Sequence, residues 1–406
     1  MSSGRPPSTR ADSPGHRSPE TTPVVVACCR TAIGQAHPLR GLFRHVRGDE
    51  LAAAVVRAAV ERSGVDPESV EDVILGVTQQ RGELGGNVAR TAALLAGLPL
   101  SVAGTTSNRL CGSGLQALAQ ACHAIVAGAE NVQVVGGVEH MHHLPMDSAI
   151  DFHPQMVARS SRGVLSMGMT AEHLAGVHGI TRARQERFAL QSHARAAVAT
   201  DTGLFDDEIV PVLGHDPAGG LQEMFHDQSV RRDTSLEAMA ALEPAFLPKL
   251  GTITAATSAP LSDGAAALVV MSQAEAARQG LEPLVRIVAT AVVGVPPAAM
   301  GTGPIVATRK LLARAGLTIE DIDLVELNEA FAAQAIHCID TLRLDPERVN
   351  VRGGALAIGH PLGAGGARIA TTLIHSLGAG EHRLGLATMC IGLGQGIAVL
   401  FERIGA

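Results

Sequence analysis

Ser107-Asn108-Arg109-Leu110-Cys111-Gly112-Ser113-Gly114-Leu115-Gln116-Ala117 sets a cysteine where extended chain turns into a helix. Ser101 to Thr106 reads as extended or loop chain, whereas Leu115, Leu118, Ala119, Cys122, Ile125 and Val126 recur at helical spacing. Cys111 therefore falls at a predicted helix N-terminus, where unpaired N–H groups and the positive end of the helix dipole favour a thiolate. Gly112 and Gly114 leave the backbone open to a substrate carbonyl. A buried, inert cysteine fits the same stretch, so the decision rests on the rest of the chain.

Outward from this helix, apolar strands alternate with helices. Val24–Ala27, Val73–Val77, Val132–Gly137, Ala265–Met271, Leu284–Ala291, Leu324–Leu327 and Leu384–Met389 read as strands. Helices are expected over Asp49–Ser63, with Asp49 as N-cap, and over Asn87–Ala96. The alternation predicts an α/β fold with a mostly parallel, helix-covered sheet. From about His140 to Leu250 the pattern breaks, and helices are expected over Thr170–Val177 and Thr181–Asp201, with Thr181 as N-cap. This segment reads as an excursion able to form a lid or binding subdomain.

A faint internal repeat underlies the alternation. Ser63-Gly64 followed by Val70-Glu71-Asp72-Val73 corresponds to Ala315-Gly316 followed by Ile319-Glu320-Asp321-Ile322. The helix after Cys111 and its strand correspond to the helix after His360 and the strand Leu384–Met389. Two βα halves about a pseudo-twofold axis would bring the Cys111 and His360 helix starts to a common centre.

Composition sets bounds. The 406 residues allow two or three domains, and 46% hydrophobic with 17% charged residues suits a protein with large cores. A net charge of −7 and the lack of Trp and Tyr argue against nucleic acid as a partner. The six cysteines, Cys28, Cys29, Cys111, Cys122, Cys338 and Cys390, show no CxxC or zinc spacing and read as reduced cytoplasmic thiols. No apolar run reads as a bilayer span. Residues 1–22, rich in Ser, Pro, Arg and Gly, are expected to form a disordered tail.

Three further stretches carry chemistry. Gly353-Gly354-Ala355-Leu356-Ala357-Ile358-Gly359-His360-Pro361-Leu362-Gly363-Ala364-Gly365-Gly366-Ala367-Arg368 presents His360 in a constrained loop, as suits a general base, with Pro361 opening a helix. Met389-Cys390-Ile391-Gly392 places a second thiol after a strand, and the N–H groups of Gly392 and Cys111 can form an oxyanion hole. In Asn328-Glu329-Ala330-Phe331-Ala332-Ala333-Gln334, Asn328 follows a strand and can either fix a water or cap a helix. Cys111, His360 and Cys390 lack a fourth ligand for zinc, and no metal is expected.

Together SNRLCGSGLQA, NEAFAAQ, GGALAIGHPLGAGGARI and ATMCIGLGQGIA resemble the thiolase family, in order and spacing, from about Pro23 to the C-terminus. GGVEHM, DFHP, SHARA, LSDGAAA and the ending FER are similar to the bacterial 3-ketoacyl-CoA thiolases that form the β subunit of a fatty-acid-oxidation complex. The resemblance implies two βαβαβαββ halves in an α-β-α-β-α stack: 23–139 completed by 251–282, an insertion at 140–250, and 283–406. It implies thiolytic cleavage of 3-ketoacyl-CoA to acetyl-CoA and a shortened acyl-CoA, with coenzyme A as substrate and no cofactor.

By the same resemblance Cys111 is the acylated nucleophile, His360 its base and Cys390 the acid/base. A water on Asn328, with His360, stabilises the enolate oxygen, and the Cys111 and Gly392 N–H groups hold the thioester oxyanion. Met167, Met300, Phe331, Arg231 and Ser258 are the expected acyl-CoA contacts; Met167 and Met300 also suit plain core packing. Ala259 stands where family members often carry a pantetheine-contacting serine. A homodimer or homotetramer is implied, with a hydratase/dehydrogenase α subunit as candidate partner. The alternatives are a biosynthetic acetoacetyl-CoA thiolase, a decarboxylating condensing enzyme, and a silent CoA-ester-binding subunit.

Overall fold

The computed structural model describes residues 18–146, 150–216 and 218–405. Its framework comprises nine strands: β1 (Pro23–Thr31), β2 (Asp72–Gly76), β3 (Ala103–Ser107), β4 (Val132–His140), β5 (Ser262–Ser272), β6 (Val285–Gly294), β7 (Leu324–Leu327), β8 (Leu384–Ile391) and β9 (Gln395–Arg403). The principal helices are α1 (Gly48–Ser63), α2 (Val88–Ala96), α3 (Ser113–Ala127), α4 (Met167–Val177), α5 (Arg182–Asp201), α6 (Gly303–Ala315), α7 (Ala332–Leu342) and α8 (Leu362–Gly378).

The strands run in the order β7-β8-β9-β6-β1-β5-β4-β2-β3. One half holds β1 to β5 and the other β6 to β9, and a short antiparallel pairing of Val24 with Arg286 and Val25 with Val285 joins them. The sheet is mixed, not mostly parallel. β2 runs parallel to β3 and β4, and β7 to β8, but β5 and β9 run antiparallel to both their neighbours. For β9 the reason is the connection that precedes it. A three-residue turn, Ile391 to Gln395, closes β8 and β9 into a hairpin, and no crossover helix intervenes to restore a parallel direction.

The repeat is visible in the helix ends. α1 stops at Gly64 (φ 68°) and α6 at Gly316 (φ 67°), both in the left-handed region that a residue without Cβ enters freely. Each stop leads through one short 3-10 turn, Pro67–Ser69 or Ile319–Asp321, into the second strand of its half. Where β3 flanks β2, only the isolated bridge from Val325 to Val349 flanks β7, so the second half lacks that strand.

Three apolar cores make the layers. α1 and α2 pack outside β1–β5 through Leu51, Val55, Val56 and Ala92. α6 and α7 cover the outer face of the other half through Leu311, Ala335 and Ile339. α3 and α8 lie between, where Leu115, Leu118, Ile369 and Leu373 meet side chains from strands of both halves. Full burial of one such leucine contributes about 1.5–3 kcal/mol. A Cβ on Gly114 would stand 2.5 Å from the Ala367 nitrogen, and one on Gly366 would stand 2.4 Å from the Leu115 nitrogen. Both positions must be glycine for the two middle helices to cross this closely.

Two expectations need correction here. The tail expected to run to Thr22 does not reach so far: Pro19–Thr21 forms a 3-10 turn, and the Gln273 N–H donates to the Thr22 carbonyl. Residues 1–17 lie outside the described residues. An apolar stretch of bilayer length does exist, Leu110–Ala127, but it comprises α3 and the three residues before it, packed between the halves. The segment between β4 and β5 contains α4, α5, the short helices Pro154–Arg159 and Leu236–Ala240, and a two-stranded ribbon of Val212–His215 with Leu221–Met224.

Candidate active site

The loops that start α3 and α8, the turn after β8 and the loop after β7 converge. Cys111 precedes the α3 cap residue, Gly112, and its sulfur receives the Gly392 N–H from the β8–β9 turn as well as its own N–H. Cys390, at the end of β8, lies close enough for the two sulfurs to interact electrostatically. The backbone is forced on both sides: Leu110 has φ 47° and Leu393 φ 61°, left-handed conformations that side chains with a Cβ adopt only under constraint.

His360 is held from several directions. Its N–H donates to Ser262 Oγ at 3.2 Å, and its backbone bridges to Leu261. The ring lies over Gly365, where a Cβ would come within 2.6 Å of both Cε1 and Nδ1. Pro361 is the cap residue of α8, one position earlier than expected, and Leu362 is the first helical residue.

Asn328 is buried in the loop after β7. Its N–H donates to the Thr388 carbonyl, two residues before Cys390, and its Nδ2 donates to His360 Nε2 at 3.4 Å. The capping alternative fails, because α7 starts at Ala332 with Phe331 as its cap. Among the described residues Asn328 Oδ1 has no partner, so the amide keeps an acceptor for a water or a substrate.

Electrostatics give the resting protonation states. Burial pushes the Cys111 thiol up to about 11, although the Gly392 N–H works the other way. This corrects the expectation of a thiolate: desolvation outweighs the helix start, since helical geometry begins only at Ser113. Burial and the charge of Cys111 raise Cys390 well above the ordinary thiol value. Burial, then the Arg368 guanidinium, holds His360 down to about 3. At neutral pH the group is therefore two thiols and a neutral imidazole. No thiolate–imidazolium pair stands ready, and the Cys111 proton must leave as attack occurs.

The expected substrate contacts divide. Met300, Phe331 and Cys390 belong to one apolar cluster, with Met167 packed against it. Met167 Sδ lies 3.4 Å from the Cβ position of Gly392. Ser258 pairs through its backbone with Phe331, but its hydroxyl donates to the Thr254 carbonyl at 2.9 Å. Arg231 is exposed on the inserted segment, and its N–H donates to His193 Nδ1.

Supporting residues escaped the reading of the sequence. Asn350 (φ 49°) bonds both the N–H and the carbonyl of Leu327 through its side chain, as a neighbouring strand would. Glu329 accepts from Ser192 Oγ, Asn350 Nδ2 and the Leu356 N–H, which ties the Asn328 loop to the His360 loop. Glu329 follows Asn328 and Ser262 lies in LSDGAAA, yet neither motif reveals what its polar side chain bonds. Among the described residues no two cysteines are joined by a disulfide.

Comparison with known proteins bears on the family. Residues 23–274 match the family model "Thiolase, N-terminal domain" and residues 281–403 match "Thiolase, C-terminal domain". The chain is 50% identical over 384 residues to the 3-ketoacyl-CoA thiolase of Aliivibrio fischeri, covering 94% of this chain and 99% of that protein. The same identity and coverage relate it to the 3-ketoacyl-CoA thiolase of Shewanella loihica. Among solved structures, the Bacillus anthracis acetyl-CoA acetyltransferase is 39% identical with a TM-score of 0.86, covering 97% of this chain and 100% of that one. Human mitochondrial 3-ketoacyl-CoA thiolase is 36% identical with a TM-score of 0.87, covering 95% and 99%.

Proposed function

The chain belongs to the thiolase family, and from that membership we propose that it cleaves 3-ketoacyl-CoA with coenzyme A, releasing acetyl-CoA and a shortened acyl-CoA. The observation that carries the reading is the convergence of two thiols, a neutral imidazole and a buried amide from four separated stretches of chain.

Each group has one task. Cys111 Sγ attacks the 3-keto carbon while His360 takes its proton, and the bond between C2 and C3 then breaks. The acyl group stays on Cys111 as a thioester, and acetyl-CoA leaves as an enolate that Cys390 protonates. The enolate oxygen is held by His360 and a water on Asn328. The Cys390 thiolate next takes the proton of the incoming CoA thiol, which attacks the thioester. Collapse expels Cys111, which recovers its proton from His360. The covalent intermediate divides one difficult carbon–carbon cleavage into two easier steps. The Cys111 and Gly392 N–H groups form the oxyanion hole of the thioester, and each is worth about 3 kcal/mol of barrier.

The first step needs a base rather than a preformed thiolate, which the raised thiol and the neutral imidazole support. Met167, Met300 and Phe331 line the acyl side in this reading. The 50% identity over 94% of the chain to proteins named 3-ketoacyl-CoA thiolase favours degradation over synthesis. Steady-state thiolysis across a series of 3-ketoacyl-CoA lengths is expected to retain kcat/KM well beyond acetoacetyl-CoA. A collapse beyond that shortest substrate would favour the biosynthetic alternative.

We further propose a homodimer built on β3. This strand ends the sheet and is only partly covered, with exposed Leu94, Leu95 and Leu100 close by in the chain. Such an edge invites pairing with a second copy. Sedimentation velocity at micromolar concentration should find no monomer in the wild type and a monomer when Thr105 is replaced by proline; a monomeric wild type contradicts the assignment.

A further inference from the structure

Glu139, on β4, is fully buried and plays no part in the steps above. Its Oε2 accepts the Gly363 N–H at 2.9 Å and the Thr78 N–H at 3.0 Å, and its Oε1 accepts the Gln79 N–H at 3.1 Å. Gly363 is the second residue of α8, three after His360, so the carboxylate acts as a cap supplied from another strand. The surroundings are built around this contact. A Cβ on Gly363 would stand 2.9 Å from Glu139 Oε2, and one on Gly137 would stand 2.2 Å from the Gly363 carbonyl oxygen. The same carbonyl oxygen lies 3.0 Å from the Cβ position of Gly114, in the first turn of α3. Glu139 thus sits where the starts of the Cys111 helix and the His360 helix meet.

We propose that Glu139 is a positioning residue for acyl transfer, its carboxylate fixing the start of α8 and with it the imidazole of His360 relative to Cys111. The proposal rests on the thiolase reading for its catalytic part. It has an electrostatic consequence too. A buried negative charge opposes the positive ends of two helices and adds to the burial that keeps Cys111 a thiol. Burial raises the carboxyl above its ordinary range, while its N–H partners work to keep it charged. The Glu139 charge in turn raises Cys111, after burial and against the Gly392 N–H. The Cys390 thiol on β8 also interacts with Cys111, whereas Arg109 is turned to Gln116 and Gln395.

The test compares Glu139→Gln and Glu139→Asp with wild type in the full-length protein. Alkylation of Cys111 by iodoacetamide is followed by peptide mass mapping from pH 7 to 10, alongside kcat and KM. Glu139→Gln removes the charge. Its kcat should fall about 10- to 100-fold with KM little changed, while Cys111 alkylates several-fold faster at a given pH. Glu139→Asp keeps the charge but falls short of Gly363, so kcat should drop along an unshifted alkylation profile; it also serves if the glutamine variant does not fold. The proposal is overturned if Glu139→Gln keeps kcat within twofold, or alkylates along the wild-type profile. Alkylation needs no substrate, and an inactive wild type would instead count against the thiolase reading itself.

Discussion

Cys111→Ala is expected to lower thiolysis of 3-ketoacyl-CoA by about 10⁴-fold or more, because no other group can take over the covalent step. Cys390 cannot substitute. It is nearly inaccessible, its thiol is raised well above the ordinary value, and the Gly392 N–H points to Cys111. The variant should fold normally, since Cys111 is only partly buried and lies at the margin of the middle core. Steady-state rates on purified protein of wild-type melting temperature make the check. Residual activity within tenfold of wild type would assign the nucleophile elsewhere.

His360→Ala should cost about 10³-fold, within the range usual for a lost general base. The structure also sets the pH dependence. In wild type, His360 is lowered to about 3, so the base is already unprotonated at every pH from 6 to 9, and loss of its proton contributes no slope there. In the variant the attack depends on spontaneous ionisation of Cys111, whose thiol lies at about 11, so only about one molecule in 10⁴ carries thiolate at pH 7. The residual rate should therefore rise close to tenfold per pH unit through pH 7 to 9. A flat residual profile would show that His360 is not the group that takes the Cys111 proton.

Much of this site was legible in the sequence because its pieces are local. A cysteine before a helical period, a histidine between glycine and proline, and an asparagine after an apolar strand are each patterns within a few residues. The repeat was legible for the same reason, since Gly64 and Gly316 stop equivalent helices. What depends on distant partners was not. Strand direction follows from how β5 and β9 return to the sheet, which an alternating pattern cannot encode. The state of the Cys111 thiol followed from burial by the folded chain rather than from its helix. Glu329 and Asn350 act through partners between 21 and 137 residues away that only folding brings near. The placement of Arg231 at the surface and the inward bond of the Ser258 hydroxyl are likewise tertiary facts.

The central claim is covalent, and trapping is its most direct test. The protein is mixed with a 3-ketoacyl-CoA in the absence of free CoA, quenched in acid, digested and mapped by mass spectrometry. The account predicts one acyl group, shorter than the substrate by an acetyl unit, on the peptide bearing Cys111, and its loss on adding CoA. An acyl group on Cys390, or steady turnover with no adduct on either thiol, would contradict it.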